Sequence, residues 1–385
     1  MNGPMIYADN AASTRLSPAA KAAMLPLLDD VYANPSAPHA MGRAAAAALA
    51  DARAQIAAAL GCDTAEIYFN SGGTEAGAQA LRTAALIGAR QGKRHILSTA
   101  FEHHAVLHTL EQLRRESFET ELLPVPADGV VTAAQVASAI RPDTCLVSVM
   151  FANNEIGTVQ PVAEIGAVCR AAGVLFHTDA AQAAGQLPID VRAQKIDLLS
   201  LSAHKFHGPK GVGALYARKG LRPAPLLAGG GQERGARPGT ENLPGIVGMA
   251  AALTEAAAHL DETAAALTKK RDRLIAGLAA IPQAMLNGDA GRRLPGNVNF
   301  SFAGIEGEAL LLLLDARGIC AAAGAACTAG SPDPSHVLLA IGRSPSLARG
   351  ALRLTLSGET TDAEIETILR AVRETVAQLR SAPGA

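Results

Sequence analysis

The sequence predicts an α/β protein: a large domain built on a mostly parallel sheet of the seven-stranded type, with a smaller α+β domain. Between residues 66 and 216, short apolar runs alternate with helix-like segments, which is typical of strands covered by helices on both faces. A long alanine- and leucine-rich stretch, from Ile246 to about Ala280, predicts a helix that joins two domains. We therefore expect the large domain over residues 14–256, and the small domain over residues 1–13 together with 257–385.

The first sixty or so residues are predicted to contain two helices among turn-rich loops. The first helix begins with the cap Ser17 and Pro18 and continues to about Leu28, because proline is favoured in the first helical turn. The second is alanine-rich and spans residues 42–60. It is expected to end at Gly61, since glycine commonly follows the last helical residue.

The first clear strand–loop–helix unit contains a glycine-rich loop. Residues 66–69 are the predicted strand, residues 70–75 the loop, and residues 76 to about 88 the helix. Glycine lets the backbone approach a ligand closely, and a helix start offers free N–H groups to an anion. Thr74 adds a hydroxyl group, although it is equally an ordinary helix cap. The loop alone is weak evidence, since it lacks the glycine–lysine pair of a nucleotide-triphosphate loop.

The remaining elements follow from the same apolar patterns. The predicted strands are residues 95–98, 145–150, 174–176, 198–201, 212–216, 297–302 and 351–356. The predicted helices are residues 102 to about 115, 162–172, 307–316 and 361–380. Thr361 and Glu364 are predicted to form a capping box at the start of the last helix.

Two of these strands are followed by residues that together suit pyridoxal phosphate. Lys205 lies just after the apolar run 198–201, and Asp179 lies at the end of the run 174–176. In open α/β sheets, the carboxyl ends of the strands carry the ligand chemistry. A lysine amine forms a Schiff base with pyridoxal phosphate, and a carboxylate keeps the pyridine nitrogen protonated. A single loop lysine is more often simply solvated, so the prediction depends on the pair.

Composition argues against several other classes of function. The 385 residues carry a formal net charge of -1, which provides no basic surplus for nucleic acid or an anionic membrane. No signal peptide is predicted and no apolar run reaches membrane-spanning length, so we expect a cytoplasmic protein. The five cysteines include no Cys-x-x-Cys pair of a metal site. Cys62, Cys145 and Cys169 are expected to be small buried residues.

Four motifs occur together along the chain. They are Asn-Asn-Glu-Ile-Gly at 153–157, His-Thr-Asp-Ala-Ala-Gln at 177–182, Ser-Ala-His-Lys at 202–205, and the segment 229–242, which begins Gly-Gly-Gly-Gln-Glu-Arg and ends Gly-Thr-Glu-Asn. In this order and spacing they resemble the cysteine desulfurases, which belong to the class-V aminotransferase superfamily of pyridoxal-phosphate enzymes with fold type I. The resemblance extends from about Tyr7 to about Leu369.

The resemblance implies a full set of contacts to pyridoxal 5'-phosphate. Lys205 would bind the cofactor covalently, Asp179 would contact the pyridine nitrogen, and His103 would stack on the ring and move protons. Taken singly, either of the adjacent residues His103 and His104 is more simply explained as a polar residue at a helix start, and Gln182 is more simply explained as a cap. The other implied contacts are Ala181 on the second ring face, Gln182 and Asn154 at the ring hydroxyl, Thr74, Ser202 and His204 at the phosphate, and Thr240 from the partner subunit of a homodimer.

The reaction itself depends on the segment 321–336, which is rich in small residues, glycine and proline and is predicted to be an exposed loop. In the desulfurases this loop carries the thiolate that takes sulfur from cofactor-bound cysteine, and Cys327 occupies that position. Cys320 ends an apolar run and is expected to pack. Arg353 matches the arginine that binds the substrate carboxylate, a role that suits a bidentate guanidinium, and Asn34 is expected to assist.

The resemblance thus implies a cysteine desulfurase that converts L-cysteine to L-alanine and leaves a persulfide on Cys327. The sulfur would pass to an acceptor protein, for iron–sulfur cluster assembly or thio-modification. Two alternatives stay open: a selenocysteine lyase, and a weakly active homologue that serves as a binding partner in a sulfur-transfer complex. The intact set of Lys205, Asp179, His103 and Cys327 argues against the second alternative.

Overall fold

The computed structural model describes residues 5–324 and 333–381, which form one large sheet, two small sheets and the helices around them. The strands are β1 (Ile6–Tyr7), β2 (Ile67–Asn70), β3 (His95–Thr99), β4 (Glu119–Leu123), β5 (Thr144–Ser148), β6 (Leu175–Asp179), β7 (Leu198–Ser202), β8 (Gly213–Ala217), β9 (Ala284–Leu286), β10 (Asn297–Phe302), β11 (Ile319–Cys320) and β12 (Ala351–Thr355). The helices are α1 (Pro18–Met24), α2 (Pro26–Asp29), α3 (Ala40–Leu60), α4 (Gly73–Arg90), α5 (His104–Arg115), α6 (Ala133–Ala139), α7 (Val162–Ala172), α8 (Leu243–Ala258), α9 (Leu260–Ala279), α10 (Gly307–Asp315), α11 (His336–Ala340), α12 (Pro345–Arg349) and α13 (Asp362–Ser381).

The large sheet has seven strands in the order β2-β8-β7-β6-β5-β3-β4. The neighbouring pairs from β7 through β6, β5 and β3 to β4 are all parallel, whereas β8 runs antiparallel to both β7 and β2. Strands β5, β7 and β8 are buried along their whole length, as expected for a sheet that helices cover on both faces. The predicted α/β fold with a mostly parallel sheet is therefore confirmed.

The carboxyl edge of this sheet collects several of the predicted site residues. Strand β6 ends at Asp179 and strand β7 ends at Ser202. A single 3-10 turn, Ala203–Lys205, follows β7 directly. Because parallel strands share one carboxyl edge, the lysine and the aspartate that the sequence singles out lie on the same side of the molecule.

The small sheets surround a second hydrophobic cluster. Strand β10 pairs antiparallel with β9 and β12, and β1 pairs in parallel with β11. Phe300 and Leu354 from these strands belong to one cluster with apolar residues of α9, α10 and α13. Ala8, just after β1, joins the same cluster, and Asp9 forms a β-bridge with Thr355. The start of the chain and strand β12 therefore lie side by side.

The predicted helix from Ser17 to about Leu28 is divided in two. Helix α1 is capped by Ser17 as expected, because its hydroxyl oxygen accepts a hydrogen bond from the Ala20 N–H. A new helix, α2, begins at Pro26, which has no N–H to donate to the preceding turn. The prediction of one continuous helix is therefore wrong at the proline.

Two details of the predicted strand–loop–helix units are also corrected. Thr74 is not the cap of α4, since the helix already begins at Gly73 and its cap is Gly72. Gly72 has a φ of 151°, a conformation that glycine adopts without strain.

Strand β4 and helix α6 are not predicted from the sequence. Strand β4 lies at the sheet edge with exposed polar residues and lacks the apolar run that marks the inner strands.

The prediction of one long helix from Ile246 to about Ala280 is wrong. The structure has two helices, α8 and α9, which meet at His259 with a bend of 73°. Each half packs on a different part of the protein, α8 on α1 and α3, and α9 on α13 and β10. Met249 accordingly belongs to the hydrophobic cluster of the large sheet and Leu274 to the second cluster. Within residues 5–324 and 333–381, no single helix is long and apolar enough to span a membrane. Helices α8 and α9 reach that length and apolar composition only when they are counted together across the bend.

The cysteines predicted to be buried differ in exposure. Cys145 and Cys169 are buried, and burial raises the pKa of their thiols to about 11 and about 12. Cys62 is only partly buried, which corrects the prediction, because it follows Gly61 at the exposed end of α3. Cys320 pairs with Tyr7 in the small parallel sheet, and burial raises the pKa of its thiol. None of these described thiols has the lowered pKa of a reactive cysteine.

A buried carboxylate anchors the segment between β8 and α8. Glu233 accepts two hydrogen bonds from the Arg53 guanidinium (2.6 and 2.8 Å) and one from the Phe69 N–H (2.9 Å). Glu233 and Arg234 both have positive φ, which non-glycine residues keep only where their surroundings hold them. The segment that ends at Thr240 is therefore fixed to the body of the large sheet.

Replacing Glu233 with glutamine is expected to lower the free energy of unfolding by about 3 kcal/mol, because the largely buried Arg53 guanidinium then lacks its counter-charge. Urea unfolding followed by circular dichroism measures this change. Glu116→Gln is the matched control, since the exposed ion pair of Glu116 with Arg82 is expected to contribute less than about 1 kcal/mol. Equal losses in the two variants would contradict the anchoring role of Glu233.

Candidate active site

A cavity of about 320 Å³ opens at the carboxyl edge of the large sheet. Its volume lies at the lower end of the range for small-molecule sites, roughly 300–1,000 Å³. Ten of the residues predicted from the sequence line it: Thr74, His103, Asn154, Asp179, Ala181, Gln182, Ser202, His204, Lys205 and Arg353. The structure thus brings together side chains that are spread over most of the chain.

The backbone of a distant segment orients the Lys205 amine. Its Nζ donates hydrogen bonds to the carbonyl oxygens of Ala11 (2.6 Å) and Ala12 (2.9 Å). Gln182 Nε2 donates to the same Ala11 oxygen at 3.0 Å. Because two acceptors fix its direction, the amine is held in one orientation at the cavity.

Asp179 supplies a carboxylate that faces the cavity and is densely surrounded by protein on its other sides. Its Oδ1 accepts a hydrogen bond from the Ala181 N–H at 2.9 Å. Burial raises the pKa of Asp179, while His103, the Ala181 N–H and Lys205 act in the opposite direction. A cation beside this carboxylate favours the ionised carboxylate, and the carboxylate favours the cation in return. The position therefore suits a protonated ring nitrogen.

His103 caps α5 and also faces the cavity. Its Nδ1 accepts a hydrogen bond from the Ala105 N–H at 3.1 Å, so the neutral ring carries its proton on Nε2. Burial lowers the pKa of His103; Asp179 acts against this effect and Lys205 adds to it. Burial at this position therefore favours the neutral ring. The two predicted roles, helix-start residue and proton carrier, are compatible in one side chain.

The amino end of α4 provides the features of an anion site. The first-turn N–H groups of a helix have no partner within the helix, and the helix dipole favours a negative charge there. Gly73 and Thr74 line the cavity beside Ser202. His204 Nδ1 lies 3.3 Å from Ser13 Oγ, and burial lowers the pKa of His204 to about 4. The backbone N–H groups and two hydroxyls thus suit a phosphate.

Arg353 lines the cavity from β12 and is almost fully buried, with 1% of its surface exposed. Its Nη2 donates to Asp9 Oδ1 at 2.7 Å and its Nη1 donates to the Asn154 carbonyl oxygen at 3.1 Å. Among the described residues, its Nε has no hydrogen-bond partner. A guanidinium held in place with an unused donor suits a carboxylate ligand.

Two predicted residues are not among the described residues that line the cavity, and a third cannot be compared with it. Asn34 is exposed in the loop before α3, where its Oδ1 accepts a hydrogen bond from the Ser36 N–H at 2.9 Å. Thr240 is exposed at the end of the segment that Glu233 anchors. Cys327 lies outside the described residues. The roles predicted for these three residues stay predictions.

Several residues that contact the site were not among those predicted from the sequence. Asp9, Ala11 and Ala12 belong to the loop before α1 and contact three of the predicted functional side chains, Lys205, Gln182 and Arg353. Glu102 precedes His103, accepts a hydrogen bond from the Met150 N–H at 2.9 Å, and has a pKa that burial raises to about 8. In the sequence, the polar pair Asp9-Asn10 directly follows Tyr7 and Ala8, and this pattern could have indicated a site residue in the first loop.

The residues of the cavity fit pyridoxal phosphate. The amine of Lys205, the carboxylate of Asp179 and the anion site at the start of α4 all face the same space. A Cβ on Gly73 would lie 3.3 Å from Ser202 Cβ and 3.9 Å from Ala181 Cβ, so glycine keeps the helix start accessible. In the described part of the chain, no group of three or more His, Cys, Asp or Glu residues could hold a metal ion.

Comparison with known proteins agrees with this fit. The sequence profile of the family described as Aminotransferase class-V matches residues 6–368. Proteins named Cysteine desulfurase IscS are 48% identical over 376 residues in Methanosarcina thermophila and 46% identical over 378 residues in Clostridium botulinum. These alignments cover 98% and 97% of this chain, and 93% and 95% of the relatives.

Solved structures with the same fold point in the same direction. A structure titled NifS-like protein superposes with a TM-score of 0.91 at 37% identity and covers 97% of this chain and 100% of its own. A second, titled SspA in complex with cysteine, has a TM-score of 0.81 at 36% identity and covers 92% of this chain and 100% of its own.

The fold and the site define a class-V aminotransferase-type protein, a class whose enzymes depend on pyridoxal phosphate. The chain belongs to the cysteine desulfurases of this family. The family and the enzyme class predicted from the sequence are therefore confirmed.

Proposed function

We propose that this chain removes sulfur from L-cysteine with pyridoxal 5'-phosphate as cofactor, releasing L-alanine and leaving a persulfide on Cys327. The observation that carries the proposal is the single cavity shared by Lys205, Asp179 and Arg353. Lys205 provides an amine that can react with the cofactor aldehyde, and Asp179 provides an anion beside the protonated ring nitrogen. Arg353 provides a cation that can bind the substrate carboxylate. Relatives named cysteine desulfurase, and a related structure in complex with cysteine, support this substrate.

The residues that would hold the cofactor follow from the chemistry of each group. Bound pyridoxal phosphate supplies an electron sink for the substrate carbon that loses its proton. Lys205 would bind the aldehyde carbon of the cofactor, and Asp179 would contact its pyridine nitrogen. The remaining proposed contacts are His103 and Ala181 on the two ring faces, Gln182 and Asn154 at the ring hydroxyl, and Thr74, Ser202 and His204 at the phosphate.

His103 and Lys205 are proposed to move protons. In the tautomer selected by its contact with Ala105, His103 carries a proton on Nε2 and donates it to a substrate group. The Lys205 amine accepts the substrate α-proton and returns it to the product. Arg353 binds the substrate carboxylate, with Asn34 as the predicted second contact, and so holds the substrate in one orientation.

Cys327 is proposed to accept the sulfur. Its thiolate attacks the substrate sulfur, so that a new S–S bond forms while the C–S bond breaks, and the substrate β-carbon gains the proton that the substrate thiol gives up. L-cysteine and the Cys327 thiol thus become L-alanine and a persulfide without any external oxidant. The persulfide sulfur then passes to an acceptor protein of iron–sulfur cluster assembly or thio-modification.

The assembly is proposed to be a homodimer in which Thr240 reaches the phosphate site of the other subunit. Its exposed position at the end of an anchored segment supports this role. Exposed apolar side chains near the start of the chain, among them Leu28 and Tyr32, offer a surface for a second copy to cover. Within each copy we propose a large domain over residues 14–256, with the small domain formed by the remaining residues.

Cys327→Ala is expected to lower cysteine turnover roughly 10²-fold, because the added thiol reductant then takes the sulfur only slowly. Purified protein with pyridoxal phosphate, L-cysteine and the reductant is assayed for alanine and sulfide together. Wild-type protein is expected to release the two products in equal amounts. Cys320→Ala, the matched control in the small sheet, is expected to keep wild-type turnover.

Two outcomes of this assay would contradict the proposal. Wild-type protein that carries the yellow cofactor but does not convert L-cysteine would exclude a desulfurase, and turnover of L-selenocysteine would then identify a selenocysteine lyase. Full activity of the Cys327→Ala variant would instead show that another group accepts the sulfur.

A further inference from the structure

Glu102 is a completely buried carboxyl group at the sheet edge that carries the site. It lies in the turn between β3 and α5, directly before His103, and its exposed fraction is 0%. Its Oε1 accepts hydrogen bonds from the Thr99 hydroxyl at 2.8 Å and from the Met150 N–H at 2.9 Å. Met150 lies just beyond the end of β5 and lines the cavity. One carboxyl oxygen therefore joins the β3–α5 turn to the end of the neighbouring strand.

The two segments that Glu102 joins are connected to the rest of the site. Asn153 Nδ2 donates a second hydrogen bond between them, to the Phe101 carbonyl oxygen at 3.0 Å. On the other side, the Phe151 N–H donates to the Asp179 carbonyl oxygen at 2.8 Å. The β3–α5 turn is thus linked, through the residues that follow β5, to the end of β6.

The second carboxyl oxygen of Glu102 bears on its charge. Oε2 is buried and, within residues 5–324 and 333–381, has no hydrogen-bond partner. An ionised carboxylate that is shut off from water needs donors or a cation, and an unpaired neutral group costs far less than an unpaired charge. Both donors at Oε1 are neutral, and Asp179, the nearby charge that acts on the group, is also negative. A neutral carboxylic acid therefore fits the position better than a carboxylate.

Of the two neighbouring acids, Asp179 is better placed to carry the negative charge. Burial raises the pKa of Asp179, but His103, the Ala181 N–H and Lys205 oppose that rise. Burial raises the pKa of Glu102 to about 8, Asp179 adds to this effect, and two neutral donors oppose it. Two close carboxyl groups avoid being ionised together, so the one without a cation keeps its proton.

We propose that Glu102 is a neutral carboxylic acid that positions His103: it fixes the β3–α5 turn against Met150 and places no second negative charge beside Asp179. Glu102 is not among the described residues that line the cavity, so it acts through the turn and not on the substrate. Its effect on turnover rests on the proposed function, in which His103 moves a proton. A misplacement of about 1 Å can slow a reaction roughly 10²-fold, so the hold on this turn matters for the rate.

The pH dependence of stability tests the protonation state without an activity assay. A carboxyl group that keeps its proton to about pH 8 in the folded protein, but only to its ordinary pKa of 4.5 when unfolded, destabilises the fold progressively as the pH rises between these values. Glu102→Gln carries no such proton and keeps the Oε1 contacts through its amide oxygen. Its urea midpoint, measured on the holoenzyme, is expected to rise relative to wild type by roughly 1 M between about pH 5 and about pH 8.

The comparison of these two proteins isolates Glu102 from the titratable groups around it. These are Asp179 on β6, His103 in the same turn, and His336 at the start of α11, whose Nε2 donates to the Glu102 carbonyl oxygen at 3.0 Å. All three are present in both proteins. A midpoint difference that stays constant, or that moves in favour of wild type as the pH rises, would show an ionised Glu102 and overturn the neutral acid.

Turnover of L-cysteine by the holoenzyme tests the positioning role. Glu102→Ala removes the acceptor of the Thr99 and Met150 donors, and kcat for alanine formation is expected to fall roughly 10-fold while KM stays within about twofold. Glu102→Gln is expected to restore kcat to within about twofold of wild type. Glu66→Ala is the matched control. Glu66 is also buried and accepts two backbone N–H groups at 2.9 and 2.6 Å, but it precedes β2 at the opposite edge of the sheet. Its loss is expected to lower stability and to keep kcat.

The results separate this inference from the proposed function. If Glu102→Gln loses as much kcat as Glu102→Ala, a charged carboxylate is required and the neutral acid is overturned. If Glu102→Ala lowers kcat no more than Glu66→Ala does, Glu102 has no positioning role. If wild-type protein converts no cysteine, the proposed function fails and the positioning role fails with it, whereas the pH dependence of the urea midpoint still decides whether Glu102 is neutral.

Discussion

Replacing Lys205 with alanine is expected to abolish cysteine turnover, with a loss on the order of 10³-fold or more, because in the proposed function the amine is both the covalent anchor and a proton carrier. The variant also removes the amine that donates hydrogen bonds to the Ala11 and Ala12 carbonyl oxygens. The measurement is alanine formation, together with the absorbance of the covalently bound cofactor. Both are expected to be lost.

Two further variants separate the covalent role of this lysine from its charge. Lys205→Arg keeps the positive charge but cannot form the covalent link, since the guanidinium stays protonated. It is expected to be as inactive as the alanine variant. Lys210→Ala removes an exposed lysine from the same loop and is expected to be fully active. An active Lys205→Arg enzyme would refute covalent anchoring at this position.

Replacing Asp179 with asparagine is expected to lower kcat by about 10²–10³-fold, which is typical for the loss of one fixed electrostatic contact in an active site. The amide oxygen can still accept the Ala181 N–H, so the shape of the site is kept and only the charge is lost. Without that charge a ring nitrogen loses the partner that keeps it protonated. Steady-state alanine formation and the pH dependence of the cofactor absorbance measure the two effects.

Asp197→Asn is the matched control for this charge. Asp197 is also buried, but it precedes β7 at the opposite edge of the sheet and pairs with Arg170 (3.0 Å) and Arg218 (2.5 Å). Its replacement is expected to lower the stability and to leave kcat unchanged. If Asp179→Asn kept wild-type kcat and cofactor absorbance, the carboxylate would have no part in the chemistry.

The parts of the site that the sequence predicts well are those with a strong local pattern. Asp179 and Lys205 each follow a short apolar run, and the shared carboxyl edge of parallel strands brings such positions together without further information. The buried strands of the large sheet, together with β10 and β12, agree with the predicted strands to within a few residues, because buried strands are continuous apolar runs.

What the sequence could not provide depends on contacts between distant segments. The bond between Asp9 and Arg353 joins residues 344 positions apart, and nothing in either local sequence selects that partner. The bend at His259 has the same origin, since α8 and α9 bury their apolar faces in different clusters while the local pattern continues as one helix. Tertiary packing overrides helix propensity at this point.

The bond between Asp9 and Arg353 also has a consequence for how the enzyme is made. The chain leaves the ribosome from its amino end, and its early parts can fold before the rest is synthesised. Lys205, Asp179 and the Ala11 and Ala12 carbonyl oxygens are all present when little more than half of the 385 residues exist. Arg353 arrives only near the end of translation. Under the proposed function, the residues expected to hold the cofactor are therefore synthesised well before the residue expected to bind the substrate carboxylate.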